Sequence, residues 1–210
     1  MSYKPILFNT EMVKAIREGR KTQTRRIIKD FAGERITSVL KPDGSYGKYG
    51  TKGWQGMLPD RGDGNEYCIE VRPPCEPGDI LWVRETWAEM PYGYVYRADD
   101  EKPYGWDAED RWKPSIHMPK EAARIFLRVK DVRVERLQGM RLEDCLAEGV
   151  RLTAGVENDL VRAPIRAREW FSQVWDSTIK PADRDMYGWD ANPWVWVIEF
   201  ERREKPVDWR

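Results

Sequence analysis

Histidine and cysteine are scarce in this chain, with one His and three Cys among 210 residues. The single imidazole, His117, restricts any Ser-His-Asp triad to one place, and the Gly-x-Ser-x-Gly turn that presents such a serine is missing. Cys68, Cys75 and Cys145 are too few, and odd in number, for a disulfide framework, which suits a reducing compartment. Cys68 and Cys75 have no second pair and no His-rich partner, so no metal site is expected. No stretch approaches the roughly 18 apolar residues that a membrane span needs. The first residues turn polar at Asn9 and Thr10, too early for the apolar centre of a signal peptide. The expectation is a cytoplasmic protein with no membrane attachment, no metal and no cofactor. Net charge is absent too: 36 basic side chains balance 36 acidic ones, so bulk charge does not draw the chain to nucleic acid.

Apolar residues at 40% and charged residues at 34% describe a folded chain, long enough for one substantial core. The charge is unevenly spread. Residues 1–30 hold eight Lys or Arg against three acids, whereas residues 99–110 hold six acids and one Lys. Either these are two solvated faces, or the basic segment rims a pocket for an anionic group.

The apolar run at residues 6–8 predicts a first strand. Thr10 then suits an N-cap, Met12, Val13 and Ile16 form a helical stripe, and Gly19 suits the position after the helix, giving a helix over 11–18. The basic segment at 19–26, Gly-Arg-Lys-Thr-Gln-Thr-Arg-Arg, leaves the end of that helix. The helix dipole by itself favours Arg20 and Lys21 there. A second strand begins near Thr24, and others are expected at 80–85 and near 94–97. The strand from Arg124 places Ile125, Leu127 and Val129 in one phase and Val132 and Val134 in the other. That slip predicts a bulge or corner. A short helix over 142–148 ends at Gly149. A longer one with Pro164 in its first position buries Ala167, Phe171, Val174 and Trp175. Trp194, Trp196, Ile198 and Phe200 alternate with Val195, Val197 and Glu199 in a closing strand. Together these predict a single α+β domain over 1–210 with a compact barrel-like sheet of five to six strands and flanking helices. Two long loop excursions, at about 40–66 and 89–115, are expected beside it. Among eleven tryptophans, Trp54, Trp106, Trp112 and Trp189 fall in predicted loops, where they either anchor the loop or stack on bases.

Five phrases occur in order: residues 4–13 (Lys-Pro-Ile-Leu-Phe-Asn-Thr-Glu-Met-Val), 19–26, 77–87 (Pro-Gly-Asp-Ile-Leu-Trp-Val-Arg-Glu-Thr-Trp), 112–119 (Trp-Lys-Pro-Ser-Ile-His-Met-Pro) and 187–197 (Tyr-Gly-Trp-Asp-Ala-Asn-Pro-Trp-Val-Trp-Val). Together they closely resemble the phage and prophage branch of ASCH-domain proteins over nearly the whole chain, least across 35–66 and 152–162. The resemblance implies a PUA-like fold, a small β-barrel with flanking helices and a cleft for a base or nucleoside. Compact members of that family are amidohydrolases that remove the acetyl group of N4-acetylcytidine. They use a Lys and a Thr of a G-R-K-T-x-T-x-R segment with a Glu from a short later helix. Lys21 and Thr24 match the motif directly, and Glu148, before Gly149, is the best-placed Glu. The two excursions depart from the compact enzymes.

The chemistry stands on its own residues as well. Amide hydrolysis needs an activated nucleophile, a stabiliser for the oxyanion and a proton donor for the leaving nitrogen. A Thr hydroxyl needs a base, and Lys21 can serve if Arg20, Arg25 and Arg26 push its pKa down. Equally, a charged Lys21 can hold the oxyanion while Glu148 is the base. Arg25, Arg26, Arg84, Glu85, Trp112 and His117 are the expected substrate-binding residues, with the modified nucleoside or RNA as partner. The alternative function is a non-catalytic module that binds RNA or a modified base. RNA phosphodiester cleavage, with Lys21 and Arg26 on phosphate, is a weaker third reading.

Overall fold

A computed structural model describes residues 1–31, 33–41 and 53–209 of the chain. Its main sheet is mixed and has the order β1-β6-β9-β10-β2. The strands are β1 (Tyr3–Leu7), β2 (Gln23–Ile27), β6 (Ile80–Arg84), β9 (Phe126–Arg136) and β10 (Trp194–Arg203). β1 runs parallel to β6, and the other pairings are antiparallel. The sheet is not a closed barrel: β1 and β2 are its two edges. The broad α+β class holds, with more strands than the five to six expected. Beside it lie a three-stranded sheet, β3 (Ser38–Leu40), β4 (Trp54–Met57) and β5 (Cys68–Val71), with β4 inside the first expected excursion and β3 and β5 at its two ends, and a hairpin of β7 (Trp87–Met90) and β8 (Gly93–Tyr96), where β8 overlaps the strand expected near 94–97. The Gly-rich and charged composition of the first excursion hid β4, whose pairing is set by neighbours rather than by local pattern. Residues 42–52 of the first excursion lie outside the described residues.

α1 (Thr10–Arg17) is capped by Asn9, whose side chain accepts from the Met12 amide at 2.9 Å. Thr10 is therefore the first helical residue and not the cap. The helix ends as a Schellman turn, with Gly19 at φ 76° donating to the Ile16 carbonyl and Arg20 to the Ala15 carbonyl. Only glycine adopts that φ without strain, and it swings the basic segment back towards the sheet. α2 (Leu142–Ala147), α3 (Arg162–Thr178) and the single turn α4 (Arg184–Tyr187) complete the helices. Pro164 is the third residue of α3, not the first. Ala163, Ala167, Phe171 and Trp175 recur every fourth position on its buried side.

The closing strand divides as its alternation predicts. Trp196, Ile198 and Phe200 enter one apolar cluster with Ile6, Leu127, Val129 and Val132, while Val195 and Val197 enter another with Phe171 and Trp175. The phase slip in β9 is a bulge: Glu199 pairs with Asp131 and Phe200 with Val129, leaving Lys130 unpaired. A third cluster gathers Ile80, Met118, Phe126 and Trp209. There the Trp209 ring meets Tyr3, Trp82 and Phe126, and Asp208 accepts from the Tyr3 hydroxyl. Among the described residues no helix is long and apolar enough to cross a membrane.

Asp79 fastens the edge strand β1. Its carboxylate accepts from the Ser2 amide and hydroxyl at 2.8 and 2.9 Å and from the Glu76 amide at 3.1 Å, and it meets Lys4 Nζ at 3.1 Å. Burial raises the carboxyl, but the donors from Glu76, Ser2 and Lys4 outweigh it and hold its pKa at about 2. The folded state therefore binds this proton less readily than the unfolded chain. The resulting stabilisation is whole above the ordinary Asp value and fades as pH falls towards 2. Asp79→Asn should lose about 2 kcal/mol at neutral pH. In urea titrations the gap from the parent should close between pH 4 and 2. A gap that stays constant with pH would assign the loss to packing.

Candidate functional site

β2 is almost wholly polar, yet Gln23, Thr24 and Arg25 are buried. The strand pairs with β10 and its side chains alternate between two environments. Thr24 and Arg26 stand opposite Ile198 and Trp196, whereas Gln23 and Arg25 stand opposite Glu199 and Val197. Lys21 precedes the strand and forms an isolated antiparallel bridge with Glu148. Thr22 extends the contact by donating to the Ala147 carbonyl at 2.8 Å. Glu148 is the C-cap of α2, and Gly149 at φ 98° turns the chain away behind it.

These two backbone devices bring Lys21 and Glu148 together. Lys21 Nζ lies 2.6 Å from Glu148 Oε2, and it also donates to the Glu148 carbonyl at 3.0 Å and the Gln23 carbonyl at 2.8 Å. The side chains are 0% and 4% exposed, so all three ammonium donors are used inside the protein. The Phe8 ring centroid is 5.6 Å from Nζ. Burial lowers the Lys21 pKa, Glu148 raises it, and Arg26 and Arg25 lower it further. The like-charge effect expected for the segment is thus present through Arg26 and Arg25, but second to burial. Arg20 turns to Glu18 and the Gly149 carbonyl.

Arg25 holds the other carboxylate oxygen, with Nη1 at 3.1 Å from Glu148 Oε1. Its Nη2 meets Glu135 at 3.2 Å and Asp144 at 3.6 Å. Asp144 accepts from Gln23, and Arg133 ties together Gln23, Glu135, Asp144 and Glu199. Burial raises the Asp144 carboxyl, but donors from Arg141 and Gln23, with Arg25 and Arg133 nearby, bring it below its ordinary value. Gln23, Arg133, Glu135, Asp144 and Glu199 escaped the sequence reading. For Arg133, Glu135 and Glu199 the signal was charge among the apolar residues of β9 and β10; Gln23 in a polar strand and Asp144 in a short helix carried none.

Thr24 is 1% exposed and faces the same apolar cluster that contains Phe8 and Ile198. The carbonyl that receives Lys21 Nζ belongs to the peptide leading into it. Arg26 crosses to the opposite edge of the sheet, donating to the Leu7 carbonyl at 3.0 Å and to its neighbour Arg25 at 3.2 Å, with its guanidinium 5.3 Å from the Phe8 ring.

The remaining expected residues sit elsewhere. Arg84 donates to the Ile116 carbonyl and lies over Trp82. Glu85 is buried in a two-armed pair with Arg124 at 2.9 and 3.0 Å, and Arg124 also binds Asp99. Trp112 packs on Trp106 with centroids 4.5 Å apart, and His117 is exposed in a turn at Ser115–His117. Among the described residues none of these four shares a hydrogen bond, ion pair or ring contact with Lys21, Thr24 or Glu148. Of the other two loop tryptophans, Trp54 lies in β4 edge-on to Trp196, and Trp189 packs on Phe171.

Glu148 borders a groove of about 500 Å³ between α1 and α3, together with Arg20, Gly149 and Trp170. Neither Lys21 nor Thr24 lines it. The described residues contain no group of three His, Cys, Asp or Glu placed to hold a metal. Cys75 and Cys145 are buried, and burial pushes each thiol up to about 11, so neither is a ready nucleophile.

A Cβ on Gly149 would fall 2.9 Å from Ala15 Cβ and 3.3 Å from Lys21 Cβ, at a φ that side chains resist. Gly149→Ala should therefore destabilise by more than the roughly 1 kcal/mol of an unhindered left-handed site. It should also shift the NMR signals of Lys21, and a neutral substitution would show that the α2 turn yields without disturbing the pair. In comparisons with protein-family models, with curated proteins and with solved structures, nothing matches this chain.

Proposed function

We propose that the chain is an amidohydrolase that deacylates N4-acetylcytidine or a similarly modified nucleoside, built on the PUA-like plan of ASCH proteins. The motif resemblance supplies the reaction and substrate class. The observation that carries the reading is the 2.6 Å contact of Lys21 Nζ with Glu148 Oε2, formed by residues far apart in the chain, with Nζ also donating to the Gln23 carbonyl in the peptide that leads into Thr24. Arg26 linking the edges β1 and β2 suits a small barrel left open along one seam.

In this reading the Thr24 hydroxyl attacks the acyl carbon and its proton passes to Lys21, which burial disposes to be a base. The carbon–nitrogen bond breaks and the amine leaves with a proton. Water then cleaves the Thr24 ester, with Glu148 taking its proton, and releases the carboxylic acid. Arg25 keeps the Glu148 carboxylate oriented through Oε1. Lys21 must part from one of its acceptors to act, and a substrate must open the buried site to reach it. The test is acetate release from N4-acetylcytidine by the purified protein. A rate that rises with pH, with its midpoint below the 10.5 of an ordinary lysine, is expected.

The complete set of partners around Lys21 favours a second reading, in which the cluster is a rigid support for a module that binds RNA or a modified base. No acetate release, together with single-stranded RNA binding that weakens as salt rises, would select it.

A further inference from the structure

Neither Lys21 nor Glu148 lines a second opening in the fold. It is a cavity of about 570 Å³ between the main sheet and β5, at the seam where edges β1 and β2 approach. Its walls are chiefly apolar, among them Ile6, Ile28, Ile69, Val71, Trp196 and Ile198. Volume and lining are those of sites for small organic molecules.

Among the described residues, two cations on this wall, Arg26 and Lys29, have no carboxylate within ion-pair distance, whereas Lys4 and Arg72 are paired. Arg26 borders the cavity, and its guanidinium bonds only to the Leu7 and Arg25 carbonyls and to the Phe8 ring face. Among the described residues no carboxylate lies within ion-pair distance of it. The nearby carboxylates are committed elsewhere: Glu148 to Lys21 and Arg25, Glu70 to Arg72 at 2.8 Å, and Asp79 to Lys4. Asp30 accepts from the Ile36 amide at 2.9 Å. Burial lowers the Arg26 pKa, against the pull of Glu148. Arg26 is half-buried, so an entering anion gains a charge-assisted pair with it without first displacing a protein carboxylate.

We infer that this seam cavity binds a small organic monoanion, a carboxylate with an apolar body, whose carboxylate meets Arg26 while its hydrocarbon lies against Trp196, Ile28 and Ile69. The site is separate from the proposed hydrolytic cluster and does not depend on the hydrolase reading. β5, which follows the first excursion, forms part of its wall through Ile69, Glu70 and Val71.

The experiment compares 4-phenylbutyrate with 4-phenylbutanol, which has the same body and no charge. Binding is followed by calorimetry and by the indole N–H signal of Trp196. A charge-assisted pair is worth about 1.5–3 kcal/mol, so the acid should bind at least about tenfold tighter than the alcohol. Arg26→Met should bring the two affinities together. Ile69→Trp, which fills the cavity and leaves Arg26 in place, should remove binding of both. If Arg26→Met fails to fold, the parent and Ile69→Trp decide the matter. Equal affinity for acid and alcohol in the parent protein overturns the proposal. So does acid binding that survives Ile69→Trp, or no binding of either probe. Acetate release from N4-acetylcytidine is a separate readout, so either idea can fail alone.

Discussion

Lys21→Met is expected to destabilise the protein by about 3–5 kcal/mol, a drop of roughly 6–20 °C in Tm for a chain of this size. Methionine keeps most of the volume and removes the charge. Glu148 Oε2, the Glu148 carbonyl and the Gln23 carbonyl would then all lose their donor in a site with no solvent to replace it. Arg25 would still hold Oε1, so the Glu148 side chain would keep one of its two cationic partners. Glu148→Gln should be damaging for the complementary reason, since it leaves two buried cations facing a neutral amide. Combining Lys21→Met with Glu148→Leu should cost clearly less than the sum of the separate changes, because the double variant strands neither charge. Urea titration measures all of these. A Lys21→Met protein within 1 kcal/mol of the parent would mean that water enters the site freely.

On the proposed hydrolase reading, Thr24→Val should reduce N4-acetylcytidine hydrolysis by about 10³-fold or more, as loss of a nucleophile does. Val suits a strand, and its branched shape replaces Thr opposite Ile198 without a new clash. Stability should therefore change far less than activity, which separates this variant from Lys21→Met. Adding Glu148→Gln to Thr24→Val should reduce the residual rate little further, since groups acting as one unit are not additive. Activity within tenfold of the parent would remove Thr24 from the nucleophile's role. It would leave a water activated directly by Glu148 or Lys21 as the attacking group.

Where a segment has a strong period, its sequence was a sufficient guide. β10 alternates through Trp194 and Phe200, α3 repeats every fourth residue, and the β9 slip became a bulge at Lys130. These signals are local and come from burial on one side of an element. The Lys21–Glu148 pairing is not local. It depends on the Gly19 and Gly149 turns converging, which a linear pattern shows only as two glycines after two helices. The supporting carboxylates were harder still. Glu135 and Glu199 lie on strands whose outer positions are often charged, and only the pairing of β9 with β10 shows that they face Arg133. Arg84, Glu85, Trp112 and His117 fall within phrases of the resemblance, yet the fold gives them other partners. Arg84 and Glu85 drew notice as the end of a strand, and their side chains are bound to the Ile116 carbonyl and to Arg124.

The sheet order has a consequence for synthesis. β2 ends at Ile27, and its only neighbour in the sheet, β10, begins at Trp194. At about 5–20 residues per second on the ribosome, the strand waits on the order of ten to thirty seconds for its partner. An orphan strand of aliphatic and aromatic residues would invite other chains to pair with it during that interval. Gln23, Thr24, Arg25 and Arg26 do not: they are well hydrated until β10 arrives and closes over them. The polar side chains of β2, three of which the finished sheet buries, are thus the ones that face water while the strand waits.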